Sequence, residues 1–186
     1  MSADKGLRLF VAVELPQELR SELCRWTRHA VAARQGVRRL EADSLHLTLC
    51  FLGHRRAEEV ETITAVLEAC AAPVGTLSLG APVWLPRRHP RALAVEVHEE
   101  SGELSALHRT IITALAAELD WEPERRSLRA HVTVARLRPD AVAAARAAVL
   151  APTPTAAFVP ETLSLYRSRL DPGGARYEAL ARIHLA

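Results

Sequence analysis

His46-Leu47-Thr48-Leu49 and His131-Val132-Thr133-Val134 repeat one pattern: a histidine, an aliphatic residue, a threonine and a second aliphatic residue. Side chains of a β-strand alternate between its two faces, so each segment can bury its aliphatic residues and present its histidine and threonine together. Each segment is followed by a loop and then a helix-like stretch, as a duplicated two-lobe unit would be. The repeat therefore predicts two related strands, one in each lobe.

Two such strands could bring two imidazoles and two hydroxyls into one cleft. Imidazoles titrate near neutral pH, so a pair of them can serve as general base and general acid. Threonine hydroxyls can donate hydrogen bonds to an anionic oxygen. A single strand histidine followed by a threonine is usually a half-buried surface pair, but two matching copies favour a catalytic site at His46 and His131.

Strand-like and helix-like stretches alternate on either side of these segments. Apolar runs predict strands at residues 7–14, 37–40, 45–52, 76–84, 92–97, 129–137, 162–169 and 176–184. Helical spacing of apolar residues predicts helices at 16–34, 57–72, 102–119 and 139–150. We expect Gly53 to end the strand of His46, and the last two strands to form a hairpin around Asp171-Pro172-Gly173-Gly174. This alternation is typical of an α/β or α+β layering of sheet and helices.

The composition narrows the class of protein. The chain has 186 residues, of which 49% are hydrophobic and 25% charged, so we expect one globular domain over residues 1–186. Its net charge of +2 is too small for a protein that coats polyanions. No apolar stretch is long enough to cross a membrane and the N-terminus lacks a signal peptide, so we expect a cytoplasmic protein. The cysteines, Cys24, Cys50 and Cys70, indicate reduced thiols without a zinc site.

Four segments carry a resemblance to a known family. They are residues 8–16, 44–53 and 129–137, together with Leu165-Tyr166-Arg167-Ser168 followed by Gly174 and Tyr177. In these segments the chain resembles the 2H phosphoesterases, most closely the bacterial and archaeal RNA 2′,3′-cyclic phosphodiesterases, also called 2′-5′ RNA ligases. Cys50 departs from the pattern, because relatives commonly carry a polar residue there; strict alternation would place it on the face of His46 and Thr48.

The resemblance implies an α+β fold of two pseudo-symmetric lobes, with antiparallel sheets and flanking helices around a central cleft. It implies hydrolysis of a terminal 2′,3′-cyclic phosphate on RNA to a 2′-phosphate, without a metal ion or cofactor and possible in reverse as 2′-5′ ligation. His46 and His131 are the implied acid and base. We assign the acid to His46, although the symmetry of the two motifs leaves the reverse open. Thr48, Thr133 and Arg136 would bind the phosphate.

Arg136 follows Thr133 by three residues, so strict alternation would turn it away from the cleft. Either a β-bulge re-aims it, or its long side chain reaches around the strand end. Without such a contact it would be a surface arginine at a strand terminus. The resemblance favours a phosphate contact.

Other residues are weaker candidates for substrate binding. Arg87, Arg88, His89 and Arg91 form a basic loop, and Arg38 and Arg39 precede the first histidine strand. Phe10, Trp84 and Tyr166 could stack on a base, although packing is the more common role for Phe10 and Trp84. We expect no membrane partner and a monomer. Two alternatives stay open: a phosphodiesterase of small molecules such as ADP-ribose cyclic phosphate, and a non-catalytic RNA- or nucleotide-binding module.

Overall fold

The computed structural model describes residues 6–32, 35–124, 126–143, 150–171 and 174–185. Three α-helices lie in these ranges: α1 (Gln17–Ala30), α2 (Glu59–Cys70) and α3 (Glu103–Glu118). The strands are β1 (Leu7–Glu14), β2 (Val37–Arg39), β3 (His46–Arg55), β4 (Leu77–Leu85), β5 (Ala92–Glu99), β6 (His131–Leu137), β7 (Ala157–Phe158), β8 (Thr162–Asp171) and β9 (Gly174–His184). None of the described helices is both long enough and apolar enough to span a membrane.

All strand pairs are antiparallel, and they form one curled sheet shaped as a half-barrel with helices on its outer face. The strand order is β7-β4-β5-β6-β3-β1-β8-β9, with β2 also paired to β6. The two histidine strands, β3 and β6, meet in the middle of this order through the pair Leu47 and Val132. The predicted α+β fold with antiparallel strands and flanking helices around a cleft is confirmed, and the strands of the two lobes join in a single sheet.

The two faces of the sheet bury different kinds of residue. On the helix side, Leu9, Val11 and Val13 of β1 are fully buried in the main hydrophobic core, together with Leu47 and Val132. On the concave side, Phe10 and Ala12 form a second, smaller cluster with Tyr166, against which Tyr177 packs. Period-two alternation along β1 produces this division, because consecutive side chains point to opposite faces.

The main differences between predicted and observed elements lie in β3, in β7, in the final hairpin and after β6. β3 continues past Gly53 to Arg55, because Gly53 has φ of 70° and so accommodates a bulge rather than a strand end. The final hairpin is longer than predicted, and the two-residue strand β7 was missed because it is too short to show alternation. Of the helix predicted at 139–150, Pro139–Ala141 forms a 3₁₀ turn, residues 142 and 143 are helical, and residues 144–149 lie outside the described ranges.

Candidate active site

One cavity on the concave face of the sheet collects the predicted site residues. It has a volume of about 590 Å³ and is lined by His46, Thr48, His131, Thr133 and Arg136. Arg8, Arg38, Phe51, Ser168 and Tyr177 also line it. The convergence expected from the two sequence motifs is therefore present in the structure.

The register of β3 against β6 explains how the motifs meet. Leu47 faces Val132 across the two antiparallel strands. Side chains on either side of a strand residue point to the opposite face from it. Because Leu47 and Val132 are buried in the main core, the histidine and threonine of both motifs turn toward the cavity that all four of them line.

Matching bulges interrupt the two histidine strands. Along β1 and β3, Val11 faces Cys50 but Ala12 faces Thr48, so one residue of β3 has no partner. Along β5 and β6, Leu93 faces Ala135 but Ala94 faces Thr133, so one residue of β6 is likewise unpaired. An unpaired residue shifts the alternation beyond it by one position. Each strand therefore turns the residue five positions after its histidine toward the cleft.

The bulge in β6 accounts for Arg136, which is exposed and lines the cavity beside His131 and Thr133. The bulge in β3 corrects the expectation for Cys50. Its side chain is only 9% exposed and packs in the main core, where burial raises the pKa of the thiol to about 12. Phe51 takes the cleft-facing position instead and is 53% exposed. Sequence reasoning missed Phe51, although the same five-residue offset that made Arg136 a candidate would have identified it.

His46 lies among aromatic rings. Its ring centroid is 4.9 Å from that of Phe10, 5.8 Å from that of Tyr166 and 5.0 Å from that of Tyr177. Burial, together with smaller contributions from the positive charges of Arg136 and His131, lowers the pKa of His46 to about 4. A hydrogen bond to the backbone of Ser44 opposes this shift but does not cancel it. His46 is therefore neutral at pH 7 in the protein without substrate.

A backbone carbonyl group fixes the ring of His131. Its Nδ1 lies 2.7 Å from the carbonyl oxygen of Arg129, two residues earlier in the chain. A carbonyl oxygen can only accept, so Nδ1 carries the proton and Nε2 is left for chemistry. The side chain of Arg129 is itself anchored, 2.6 Å from Glu96. The ring of His46 is bonded in the same way to the residue two positions earlier, Ser44.

A second cavity, of about 870 Å³, lies beside the first and shares Thr48, Phe51 and His131 with it. Its other lining residues include apolar side chains and three arginines, Arg87, Arg126 and Arg129. Thr48, Phe51 and His131 thus border two spaces, each lined by three arginines.

The weaker candidates divide between the cavities and the core. Arg38 lines the first cavity and Arg87 the second, whereas Arg88, His89 and Arg91 line neither. Phe10, at 2% exposure, and Tyr166 pack in the concave-face cluster, and Trp84 packs against the main core. Among the described residues, no three histidine, cysteine or carboxylate side chains lie close enough together to hold a metal ion.

The chain is similar to known proteins, in sequence and in fold, over most of its length. The RNA 2′,3′-cyclic phosphodiesterase of Escherichia coli strain K12 is 28% identical over 183 residues, 94% of each chain. The crystal structure of TT0787 from Thermus thermophilus superposes with a TM-score of 0.82 at 26% identity, covering 96% of this chain and 98% of that one. The structure of E. coli LigT complexed with 3′-AMP has a TM-score of 0.79 at 28% identity, covering 97% and 98% of the two chains. The family model described as the 2′-5′ RNA ligase superfamily matches residues 15–172, and the chain belongs to that superfamily.

Proposed function

We propose that this protein hydrolyses a terminal 2′,3′-cyclic phosphate on RNA to a 2′-phosphate, by acid and base catalysis from two histidines and without a metal ion. The observation that carries the proposal is the cavity in which His46 and His131 lie together with Thr48, Thr133 and Arg136. The E. coli relative, named an RNA 2′,3′-cyclic phosphodiesterase and matched over 94% of its length, supports the choice of substrate.

The reaction needs two proton transfers on opposite sides of phosphorus. Water attacks in line with the departing ribose oxygen, so a base must take a proton from water while an acid gives one to that oxygen. Each transfer by a positioned side chain typically contributes about 10²–10⁴-fold to the rate. We assign these two transfers to His46 and His131, because they lie on adjacent strands and line the same cavity.

The protonation state of His46 favours an order of roles opposite to the sequence-based one. A neutral imidazole accepts a proton, and burial keeps His46 neutral at pH 7 in the protein without substrate. We therefore assign the base to His46 and the acid to His131. When His131 is protonated, its Nδ1 still donates to the carbonyl of Arg129, so Nε2 is the donor toward the ribose oxygen.

Charge on the non-bridging oxygens increases in the transition state and needs donors placed in advance. Thr48 and Thr133 offer hydroxyl groups on opposite strands, and Arg136 offers a guanidinium beside them. These three organic groups supply the stabilisation that a metal ion would otherwise provide. With a 5′-hydroxyl in place of water as the nucleophile, the same site would break the bond from phosphorus to the 3′ oxygen and form a 2′-5′ linkage.

The test is turnover of an oligonucleotide that ends in a 2′,3′-cyclic phosphate, in excess EDTA. We expect hydrolysis that survives the chelator, with a product that carries a 2′-phosphate and a free 3′-hydroxyl in phosphorus NMR. Loss of activity in EDTA, with recovery on adding one divalent ion, would contradict the metal-free mechanism. A 3′-phosphate product would reverse the orientation of the ribose while keeping the two-histidine chemistry.

A further inference from the structure

Arginines inside and outside the cavity have different surroundings. On the opposite face of the β8–β9 hairpin, Arg169 lies 2.9 Å from Glu178, and Arg176 lies 3.1 Å from Asp171. Within the cavity, Arg8 and Arg136 form no ion pair with any carboxylate in the part of the chain that the structure describes. The positive charges of these two guanidiniums are therefore not neutralised by a described carboxylate, and they can attract an anion that enters the cavity.

The cavity itself is strongly cationic. Arg8, Arg38 and Arg136 line it, from three different strands, and none of its described lining residues is acidic. Glu14, on the same face of β1, instead accepts hydrogen bonds from Ser164, Tyr166 and Arg182. One cyclic phosphodiester carries a single negative charge, and Arg136 already stands beside the histidines to meet it. Arg8 and Arg136 alone therefore carry more positive charge than that one anion needs.

Arg8 and Arg38 reach one wall of the cavity from β1 and β2, where Arg38 is also the cross-strand partner of Arg136. Arg8 lies two residues before Phe10, so its Cα is about 7 Å further along β1 than the residue whose ring contacts His46. The pairing of Leu9 with Arg167 brings Ser168 of β8 next to Arg8. Arg38 reaches the same wall from β2: a Cβ built on Gly174 would lie 2.5 Å from both its Nη1 and Nη2. Gly174 therefore leaves space that the guanidinium of Arg38 occupies.

We propose that Arg8, Arg38 and Ser168 form a second phosphate subsite, which binds the phosphodiester immediately upstream of the cyclic end. The inference rests on the proposed function and adds a preference for chains of at least two nucleotides. Guanidinium and hydroxyl donors match phosphate oxygens, and guanidinium can bind them in bidentate fashion. A mononucleoside cyclic phosphate leaves this subsite empty.

The first experiment compares kcat/KM for three substrates: a dinucleotide with a 2′,3′-cyclic end, the same dinucleotide with an uncharged methylphosphonate linkage, and a mononucleoside cyclic phosphate. We expect the charged dinucleotide to be preferred by about 10- to 100-fold, the range for hydrogen bonds between charged groups. Equal values for the charged and uncharged linkages would overturn the proposal. Preference for ADP-ribose 1″,2″-cyclic phosphate over the charged dinucleotide would assign the subsite to a pyrophosphate and overturn the RNA assignment.

The second experiment uses Arg8→Gln, with Arg169→Gln outside the cavity as the matched control. We expect Arg8→Gln to remove most of the preference for the charged dinucleotide, mainly through KM, and to leave turnover of the mononucleoside within about twofold. The control should keep the preference. An unchanged preference in Arg8→Gln would refute the subsite.

Binding separates this proposal from the proposed function. Calorimetry on the wild-type protein with a non-reactive dinucleotide bearing a 3′-phosphate, and with a 3′-mononucleotide, measures the second phosphate without any turnover. If the protein turns over no cyclic phosphate but binds the dinucleotide about tenfold more tightly, with loss in Arg8→Gln, the subsite stands and the proposed activity fails. Equal affinities for the two ligands would overturn the subsite whatever the activity.

Discussion

Strands β3 and β6 carry the same histidine and threonine pattern and the same bulge, yet they turn different residues toward the cleft: Phe51 on β3 and Arg136 on β6. The backbone symmetry thus sets up equivalent positions that the sequence fills with unlike chemistry. An aromatic ring faces one side of the reacting groups and a guanidinium the other. Two strands of similar backbone geometry therefore form a site whose two sides differ chemically.

The two histidines also differ in their surroundings. His46 is packed against Phe10, Tyr166 and Tyr177, and its pKa is lowered to about 4. His131 stands where the two cavities meet, with its Nδ1 fixed by a carbonyl. The two groups to which we assign opposite proton transfers are thereby distinguished before substrate binds.

The largest effect should come from removing either histidine. We expect His46→Ala and His131→Ala each to lower kcat by about 10²–10⁴-fold, because each removes one proton transfer. His29→Ala, an exposed histidine of α1, is the control and should match wild type. His46→Asn, which retains a polar side chain among the three rings, tests whether lost packing contributes. Activity within a few-fold of wild type in a folded His46 or His131 variant would remove that residue from the mechanism.

The next prediction concerns Arg136, the guanidinium that β6 turns toward the cleft. Arg136→Gln should lower kcat by about 10²–10³-fold, the loss typical for one donor to a developing oxyanion. Because its positive charge also lowers the pKa of His46, the variant should raise that pKa, which NMR titration of the ring would detect. A variant with normal kcat and an unchanged His46 titration would place the guanidinium outside the site.

His46 should make stability depend on pH in a window that its lowered pKa defines. The unfolded chain binds a proton near pH 6.5, whereas the folded protein does so only near pH 4. This contribution is therefore fully present above pH 6.5 and is lost as the pH falls toward 4, by about 3 kcal/mol in total. Denaturant unfolding of wild type and His46→Asn at pH 7 and pH 4 isolates it, because the other groups titrate alike in both proteins. Parallel losses in the two proteins would contradict the burial of a neutral His46.

The threonines should contribute equally if the symmetry of the strands extends to them. Thr48→Ala and Thr133→Ala each remove one donor to a charged oxygen, worth about 1.5–3 kcal/mol, or roughly 10- to 100-fold in kcat/KM. We expect the double variant to lose about the sum of the two free energies if the hydroxyls bind different oxygens. A double variant no worse than either single one would mean that only one hydroxyl contacts the phosphate.

Much of this site was predictable because the period-two alternation of side chains along a strand determines which residues face the cleft. The aliphatic residues of each motif identified the buried face, and so placed His46, Thr48, His131 and Thr133 together from the sequence. Alternation fails at a bulge, which has no reliable signal in the sequence. Arg136 was recovered only because a resemblance to a family suggested a phosphate contact there, whereas strict alternation assigned Cys50 to the wrong face.

The environment of His46 could not be predicted, because it depends on contacts across the sheet. Tyr166 of β8 and Tyr177 of β9 lie far along the chain from His46 and reach it only when the half-barrel closes. The pairing of β3 with β6 was also beyond the sequence, which indicated two lobes but not that their strands form one sheet.

Phe51 is the residue that the bulge reveals, and it should have the smallest effect. An aromatic ring that is 53% exposed and borders both cavities offers a surface on which a nucleobase can stack. Because the ring is so exposed, we expect Phe51→Ala to lose about 1 kcal/mol, near the lower end for base stacking, seen as a roughly fivefold rise in KM with kcat retained. Phe51→Tyr should restore the wild-type KM, and Val159→Ala, which removes an equally exposed apolar side chain outside both cavities, should change nothing. If Phe51→Ala instead lowers kcat and leaves KM unchanged, the ring acts on His46 through Phe10, whose centroid is 5.9 Å away, and the aromatic side of the cleft serves the catalytic base rather than the substrate.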